Sequence, residues 1–259
     1  FTTSGTTGSP KLVMHTQGTL SLHAQQIALA YDMGRGGGVL CGIPLCGALG
    51  LNGVLAGFAA GRPVALQASF DAPDAVRLLR EHGLGFAYGS DEFFRQLLQH
   101  APGERPFPAA CDFGYGLFQN GAMELARAAL ERGVPMIGVY GSSELQALFS
   151  RQAPNASADD RLPGGGFPAA PESRVRVRDA QTGELLSPGC SGELEIRSPA
   201  QFVGYFGDPE ATAAALTQDG FFRTGDIGSV RADGSFVFEG RGGDAMRLAG
   251  FLVNPVEIE

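Results

Sequence analysis

Short apolar runs alternate with amphipathic helical patterns through the first half of the chain. One helix is predicted over Asp71–His82, with Asp71 as its cap and Gly83 as its stop, and another over Met123–Arg132 before Gly133. The runs between helices predict six strands: Leu12–His15, Val39–Ile43, Pro63–Leu66, Phe86–Tyr88, Tyr115–Phe118 and Met136–Tyr140. This alternation predicts an α/β fold with a largely parallel sheet and flanking helices.

The pattern changes after about Glu144, and proline and glycine cluster between residues 154 and 171. A short helix is predicted over Pro209–Leu216. Short alternating segments separated by turn residues predict five further strands: Ser173–Val177, Glu193–Arg197, Phe221–Arg223, Gly228–Arg231 and Ser235–Phe238. This half is therefore predicted to be an antiparallel, β-rich subdomain with the form of a distorted barrel.

Composition narrows the functional classes. Of 259 residues, 44% are hydrophobic and 18% charged, which is typical of a globular protein. The net charge of −8 and the lack of a basic run argue against nucleic acid or an anionic membrane as a partner, and no apolar run is long enough to span a membrane. The four cysteines lack zinc-site spacing and are expected to be free thiols in a reducing compartment, the cytoplasm: Cys41, Cys46, Cys111 and Cys190.

The strongest chemical signal is a loop rich in glycine and hydroxyl groups near the start of the chain. It reads Thr3-Ser4-Gly5-Thr6-Thr7-Gly8-Ser9-Pro10-Lys11. Its glycines allow backbone N–H groups to approach an anion, its hydroxyls can donate to phosphate oxygens, and Lys11 adds a positive charge. Because Pro10 separates Gly8 from Lys11, it is not a Walker A loop. We predict a phosphate-binding loop; the alternative is an ordinary polar linker.

A second signal, Tyr140-Gly141-Ser142-Ser143-Glu144, stands at the carboxyl end of a predicted parallel strand, where α/β sheets bind ligands. Tyr140 offers a face for stacking a base, Ser143 a hydroxyl and Glu144 a carboxylate suited to Mg²⁺. The alternative is the nucleophile elbow of a hydrolase. It is disfavoured because Leu145 replaces the closing glycine and because all four histidines precede the serine.

A third signal is the segment Gly220–Asp226, in which Asp226 can accept hydrogen bonds from the two hydroxyls of a ribose. Arg241, which follows Gly240, could bind phosphate or ribose. On local sequence alone, a turn aspartate is the favoured interpretation of Asp226, and a solvated surface arginine is an equally acceptable interpretation of Arg241.

Together these segments resemble the adenylate-forming superfamily, which includes acyl-CoA synthetases, peptide-synthetase adenylation domains and firefly luciferase. The resemblance spans nearly the whole chain and keeps the family's order. The loop at 3–11 is closer to the acyl- or aryl-CoA ligase branch. Later segments that resemble the family are Gly192-Glu193-Leu194, Gly204-Tyr205, Pro209–Thr212, Gly220–Asp226 and Gly240 to Glu259.

The resemblance implies an enzyme that converts a carboxylic acid to its AMP ester and releases pyrophosphate, with ATP, Mg²⁺ and coenzyme A as cofactors. Lys11, Thr6, Ser143 and Glu144 would be catalytic, and Glu144 would hold Mg²⁺. The resemblance implies a nucleotide site formed by Thr3, Ser4, Gly5, Thr6, Thr7, Gly8, Lys11, Asn120, Gly121, Ala122, Tyr140, Gly141, Ser143, Asp226 and Arg241.

The substrate pocket is expected at Gly47, Ala48 and Gly116, whose small side chains suggest an apolar, roomy site. Gly47 stands where acyl-CoA ligases of the family often carry histidine, and Gly243 where the family's hinge usually carries aspartate or lysine. Two alternatives therefore stay open: a non-catalytic nucleotide- or acyl-adenylate-binding module, and a stand-alone adenylation domain that loads a carrier protein.

Three parts follow from these expectations. Residues 1–145 are predicted to form an α/β nucleotide-binding subdomain, residues 146–240 a β-rich subdomain, and residues 241–259 a hinge. The resemblance implies that this hinge leads to a mobile C-terminal domain carrying a lysine for adenylation, and that the chain is a core fragment of a longer protein.

Overall fold

The computed structural model describes residues 1–2, 11–116 and 121–242, and the backbone of two short strands beyond them. Seven α-helices are present in this part of the chain: α1 Gln17–Ala30, α2 Ala48–Ala59, α3 Ala72–Glu81, α4 Asp91–Gln99, α5 Ala122–Glu131, α6 Ala158–Arg161 and α7 Pro209–Ala215. A 3-10 helix spans Met33–Arg35.

The strands are β1 Val13–Met14, β2 Val39–Cys41, β3 Val64–Leu66, β4 Phe86–Gly89, β5 Asp112–Tyr115, β6 Met136–Ser142, β7 Gln146–Arg151, β8 Gly165–Pro168, β9 Arg174–Arg178, β10 Ser191–Arg197, β11 Gly204–Tyr205, β12 Phe222–Val230, β13 Phe236–Arg241, β14 Met246–Leu248 and β15 Phe251–Val253.

Eleven of these strands form one sheet in the order β3-β2-β4-β5-β6-β7-β8-β13-β12-β10-β9. The first five are parallel and the pairs from β6 to β9 are antiparallel, which confirms the predicted change of pattern. The barrel form is wrong: in the described residues β3 and β9 remain separate edges of one mixed sheet. Two-stranded sheets pair β1 with β11 and β14 with β15.

Helix ends follow the residues that predicted them. Asp71 caps α3 by accepting a hydrogen bond of 2.8 Å from the backbone N–H of Asp74. Gly83 and Gly133, the predicted stops, have φ of 58° and 75°, a left-handed conformation that glycine adopts without strain. These ends place β4 and β6 in the sheet at the predicted positions.

Two predicted strand positions need correction. The strand predicted over Tyr115–Phe118 lies at Asp112–Tyr115, and Phe118 is outside the described residues. The strand begins at Asp112, a buried aspartate that pairs with Arg151. A polar residue does not indicate a buried strand, so the sequence pattern placed the start of the strand too late. The separate strands predicted at Phe221–Arg223 and Gly228–Arg231 form one strand, β12, with a register shift at Ile227 and Gly228.

Three apolar clusters hold the fold together. The first lies between the parallel strands and α3, α4 and α5, the second between those strands and α1 and α2, and the third in the antiparallel part. The third cluster includes Tyr140, Leu145 and Tyr205. The packing of the antiparallel part therefore fixes the neighbourhood of the predicted nucleotide motif.

Strand β7 has an irregular backbone that is held from α1 and α2. Gln146 and Leu148 have positive φ of 63° and 62°. The carbonyl of Ala147 accepts from His23 Nε2 at 2.8 Å, and that of Leu148 accepts from the Tyr31 hydroxyl at 2.9 Å. Such residues adopt positive φ only when their surroundings compensate for the strain, so these contacts fix the hairpin that joins β6 to β7.

Candidate nucleotide site

The turn between β6 and β7 presents Ser143 and Glu144. Leu145 donates its backbone N–H to Ser142 Oγ at 3.2 Å, which closes the turn. A Cβ on Gly141 would lie 2.7 Å from Gln146 O and from the Cα of Ala147, so this position needs glycine. The strand after the turn also excludes the nucleophile elbow, which requires a helix there.

Ser143 is joined to the start of the chain from two sides. Its Oγ donates to the carbonyl of Thr2 at 3.0 Å. Its own carbonyl accepts from His15 Nε2 at 2.8 Å, across 128 residues of sequence. Burial is the main cause that lowers the pKa of His15, so the ring donates to Ser143 as a neutral group at neutral pH. The serine therefore contacts one residue before and one residue after the predicted phosphate loop.

Glu144 is buried and contacts the side chain of Tyr205. It is 7% exposed, and its Oε1 accepts from the Tyr205 hydroxyl at 2.8 Å. Lys11 Nζ lies 4.8 Å from the centre of the Tyr205 ring, a cation–π distance. Burial and the negative charge of Glu144 both raise the pKa of Tyr205. Tyr205 thus connects the predicted metal carboxylate with the predicted phosphate lysine.

Asp226 forms a second group with Tyr140 and Arg241. The Tyr140 hydroxyl donates to Asp226 Oδ2 at 2.5 Å, and Arg241 Nη1 lies 2.9 Å from Asp226 Oδ1. The arginine is not aligned as a hydrogen-bond donor to that oxygen, and Oδ1 receives no hydrogen bond within the described part of the chain. Oδ1 therefore keeps the capacity to accept a hydrogen bond from a ligand.

Burial sets the charge behaviour of this group. Asp226 is 2% exposed, and its burial raises its pKa to about 6 against the opposing effects of Arg241 and the Tyr140 hydroxyl. Glu144 contributes a smaller rise through its negative charge. Burial also raises the pKa of Tyr140 well above its ordinary value. Asp226 is thus a carboxyl group that changes charge near neutral pH.

The Tyr140 ring is packed among phenylalanines. Its centre lies 5.3 Å from that of Phe236 and 5.7 Å from that of Phe238. The residue is 7% exposed. Its stacking against a base stays a prediction, and the base would use the small part of the ring that reaches solvent.

The predicted substrate residues follow the carboxyl ends of two parallel strands, β2 and β5, that lie on either side of β4. Gly47 is the cap residue of α2, which follows β2, and Ala48 is its first helical residue. Gly116 follows β5 and donates its N–H to Gly89 O at 3.4 Å. A small apolar cleft beneath α2 is lined by Val39, Leu40, Cys41, Ile43, Leu49, Gly50, Gly53 and Tyr88. The assignment of Gly47, Ala48 and Gly116 to a substrate pocket stays a prediction.

Helix α5 begins at the end of the loop after β5. Gly121 is its cap residue with φ of 82°, and Ala122 is buried. Because β5 is the neighbour of β6, these residues and Tyr140 stand at the same edge of the sheet. Other predicted residues lie outside the described part of the chain: Thr3, Ser4, Gly5, Thr6, Thr7, Gly8, Asn120 and Gly243.

The structure brings Lys11, Ser143 and Glu144 together, and separately joins Tyr140, Asp226 and Arg241. No role is predicted for Tyr205 from the Gly204-Tyr205 segment alone. His15 enters the sequence-based predictions only as one of the histidines of the hydrolase alternative. No sequence spacing signals these two contacts, because Tyr205 is 61 positions from Glu144 and His15 is 128 positions from Ser143.

Among the described residues, no group of three or more histidine, cysteine or acidic side chains could hold a metal ion. None of the helices described is long and apolar enough to cross a membrane. All four cysteines are free thiols.

Known proteins provide an independent comparison. The sequence profile described as AMP-binding enzyme matches residues 1–206. The chain is 31% identical over 265 residues to benzoate–CoA ligase of Thauera aromatica and 30% identical over 276 residues to 2-succinylbenzoate–CoA ligase of Geobacillus kaustophilus. It covers 99% of itself in both cases, and 48% and 51% of those proteins.

Solved structures show the same relation. ATP-bound MatB from Rhodopseudomonas palustris superimposes with a TM-score of 0.84 at 26% identity, over 100% of this chain and 51% of that one. MenE from Bacillus subtilis with the acyl-adenylate OSB-AMP has a TM-score of 0.86 at 24% identity, over 100% of this chain and 52% of that one, which shows the shared fold. The chain spans about half the length of the proteins it matches.

Proposed function

Because this chain belongs to the AMP-binding enzyme family, we propose that it is the nucleotide-binding core of an AMP-forming acid–thiol ligase. The reaction has two steps. A carboxylate oxygen attacks the α-phosphorus of ATP, and the bond to the β-phosphate breaks to release pyrophosphate. The sulfur of coenzyme A then attacks the acyl carbon, and AMP leaves with the electrons of the broken C–O bond.

The observation that carries this proposal is the convergence of Lys11, Ser143 and Glu144. Lys11 is more than 130 positions from the adjacent Ser143 and Glu144 in sequence. Tyr205 connects Lys11 with Glu144, and Ser143 contacts Thr2. A cation, a hydroxyl and a carboxylate in one place are the groups that phosphoryl-transfer enzymes use to position and neutralise a nucleotide triphosphate. Such enzymes work by positioning and electrostatics rather than by a covalent intermediate with the protein.

Glu144 is the residue that would hold Mg²⁺. Mg²⁺ is usually bound by one or two carboxylates together with substrate phosphates. A single carboxylate beside a predicted phosphate loop agrees with this mode of Mg²⁺ binding. The described residues do not form a site in which protein ligands alone would hold the ion. When bound, the ion would neutralise phosphate charge, while Ser143 would orient the α-phosphate.

Asp226 and Arg241 would bind the ribose, and Tyr140 with Gly121 and Ala122 would border the adenine. The support is that Asp226 has an oxygen that receives no hydrogen bond within the described residues and a hydroxyl on its other oxygen that fixes its orientation. Residues 1–145 would then be the nucleotide-binding subdomain, 146–240 the β-rich subdomain and 241–259 the hinge. The free thiols support a cytoplasmic location.

Two half-reactions test the proposal on the full-length protein. We expect pyrophosphate–ATP exchange that depends on an added aromatic or fatty acid, and loss of coenzyme A thiol when ATP and that acid are present. Exchange without thioester formation would instead favour a carrier protein as the acceptor. No exchange with any acid, in a protein that binds ATP, would favour the non-catalytic binding module and overturn the ligase.

A direct binding test uses the composition of the chain. Lys11 is the only lysine among the 259 residues. Amine-reactive labelling of this chain therefore reports on one side chain, and MgATP should protect it because the phosphates would lie against its ammonium group. Mass spectrometry measures the labelled fraction. Equal labelling with and without MgATP would place the nucleotide elsewhere.

A further inference from the structure

Asp91 is a buried carboxyl group to which the described residues supply no partner. It is the first residue of α4 and is 1% exposed. Both Oδ1 and Oδ2 are buried and have no hydrogen-bond partner among the residues that the structure describes. None of the ion pairs found in that part of the chain includes it. Other buried acids do have partners: Asp112, Glu144, Glu195 and Asp226.

The helix start does not explain this burial. An acidic residue in the first turn is favoured by the helix dipole, but Glu92 supplies that charge one position later. Glu92 is exposed, and it accepts from Gln96 Nε2 at 2.8 Å and lies 3.3 Å from Arg95 Nε. A buried carboxyl group without a partner loses its water and gains nothing in return, so Asp91 costs stability.

The position of Asp91 in the sheet connects it with the predicted substrate residues. Strand β4, which ends two residues before Asp91, lies between β2 and β5. The chain leaving β2 leads to Gly47 at the start of α2, and Gly116 N donates to Gly89 O from the end of β5. Asp91 therefore stands at the carboxyl edge of the parallel strands, where ligands of such sheets bind.

We propose that Asp91 binds a protonated amino group on the carboxylic acid that the enzyme activates. This inference rests on the proposed function and names the substrate class. A cation compensates a buried carboxylate better than a neutral donor does, because the pair gains both a hydrogen bond and an ionic attraction in a site without water. The amino group stays protonated and takes no part in the reaction, while the acid's carboxylate reaches the α-phosphate near Ser143.

Matched pairs of acids test the proposal in the full-length protein. Each pair differs only by an ammonium group in place of a methyl group: 4-(aminomethyl)benzoate with 4-ethylbenzoate, 6-aminohexanoate with heptanoate, and β-alanine with butyrate. In pyrophosphate exchange, kcat/KM for the amino acid of at least one pair should exceed that of its partner by about tenfold or more. Asp91→Leu should abolish or reverse this preference. Glu92→Gln, which removes a carboxylate from the same helical turn, should leave it unchanged.

The outcomes separate this inference from the proposed function. Exchange that favours the methyl acid of every pair, or an amine preference that persists in Asp91→Leu, overturns the inference and leaves the ligase intact. No exchange with any acid overturns both. Should Asp91→Leu fail to fold, Asp91→Asn is read in its place, because it removes the charge and keeps the shape.

Thermal stability supplies a readout that does not depend on activity. Because Asp91 lacks a partner, Asp91→Leu should melt about 2–4 °C higher than the parent protein. Glu92→Gln should show no such rise. A lower melting temperature for both Asp91→Leu and Asp91→Asn would mean that the carboxylate stabilises the fold, which overturns the inference.

Discussion

Buried carboxylates have different partners at the two edges of the parallel sheet, the amino edge and the carboxyl edge, where the strands begin and end. At the amino edge Asp112, which is fully buried, has its Oδ2 in contact with Arg151 and 3.4 Å from Arg35. Arg151 also donates to the carbonyl of Ala30 at 3.0 Å. At the carboxyl edge neither oxygen of Asp91 has a partner within the described residues, whereas Asp112 and Asp226 each have only one oxygen, Oδ1, that receives no hydrogen bond there.

This difference distinguishes structural charge from charge available to a ligand. The cluster around Asp112 is compensated from within the chain, because two guanidinium groups meet one carboxylate. At the carboxyl edge the described side chains supply Asp91 with no countercharge, and they supply Asp226 with one guanidinium group and one hydroxyl. Incompletely compensated groups cost stability, and they are found where a ligand completes the arrangement. The substitutions below alter one edge at a time.

Breaking the amino-edge pair should have the largest effect. Asp112→Asn leaves the buried guanidinium of Arg151 without its countercharge and should lower the free energy of unfolding by about 3–5 kcal/mol. Urea unfolding measures the loss. The exposed pair of Asp74 and Arg77 provides the control, since Asp74→Asn should cost much less. A small loss at Asp112 would show that the pair contributes little to stability.

Removing the acceptor at Asp226 should weaken nucleotide binding rather than unfold the protein. Asp226→Asn should cost ~1.5–3 kcal/mol of affinity, because the ribose hydroxyls lose a charged acceptor. Calorimetry should show the same loss for ATP and for AMP, since both carry the same ribose. Asp219→Asn, an exposed carboxylate paired with Arg176, should not change affinity. A loss confined to ATP would place Asp226 near the phosphates instead.

The pH dependence of binding follows from the charge of Asp226. Its pKa is about 6, so the carboxylate that accepts the ribose hydroxyls is protonated at lower pH. Affinity should fall as pH drops through that value, by about tenfold for each unit below it. Asp226→Asn should remove this dependence. An affinity for AMP that stays constant between about pH 7.5 and pH 5 would contradict the assigned role.

Protonation of Asp226 has the opposite effect on folding stability, which it increases. Because the folded pKa of Asp226 lies above its ordinary value, the folded protein binds the extra proton. The stability contributed by this proton is present at acid pH and is lost as pH rises from about 4 to about 6. Asp226→Asn should therefore gain stability relative to the parent over this range. Urea unfolding at both ends of it measures the change.

The sequence predicted what is encoded locally. The cap at Asp71 and the stops at Gly83 and Gly133 fixed helix ends through backbone chemistry that depends on a few adjacent residues. The change from parallel to antiparallel pairing followed from the periodicity of apolar positions. The turn at Ser143 and Glu144 was recognisable as a short motif, while the phosphate loop at 3–11 stays a prediction.

Features that depend on distant partners were missed. A strand that begins with Asp112 reads as a polar interruption until Arg151, from another strand, neutralises it. Strand β7 carries positive φ at Gln146, whose side chain is held by distant segments because it donates to the carbonyls of Thr19 and Ala200. Tyr205 reaches Glu144 from 61 positions away. Local propensity contains no information on such pairs.

The smallest predicted effect concerns Tyr205, which links Glu144, the proposed metal carboxylate, to the fold. Tyr205→Phe keeps the ring against Lys11 and removes the hydroxyl that donates to Glu144 Oε1 at 2.8 Å. The lost hydrogen bond should cost about 1 kcal/mol of stability. If Glu144 holds Mg²⁺, its looser orientation should also raise several-fold the Mg²⁺ concentration that supports half-maximal exchange. Tyr31→Phe is the matched control, because that buried hydroxyl donates to the Leu148 carbonyl at 2.9 Å. It should cost similar stability and leave the Mg²⁺ dependence unchanged, so equal Mg²⁺ curves for the two variants would argue against Glu144 as the metal ligand.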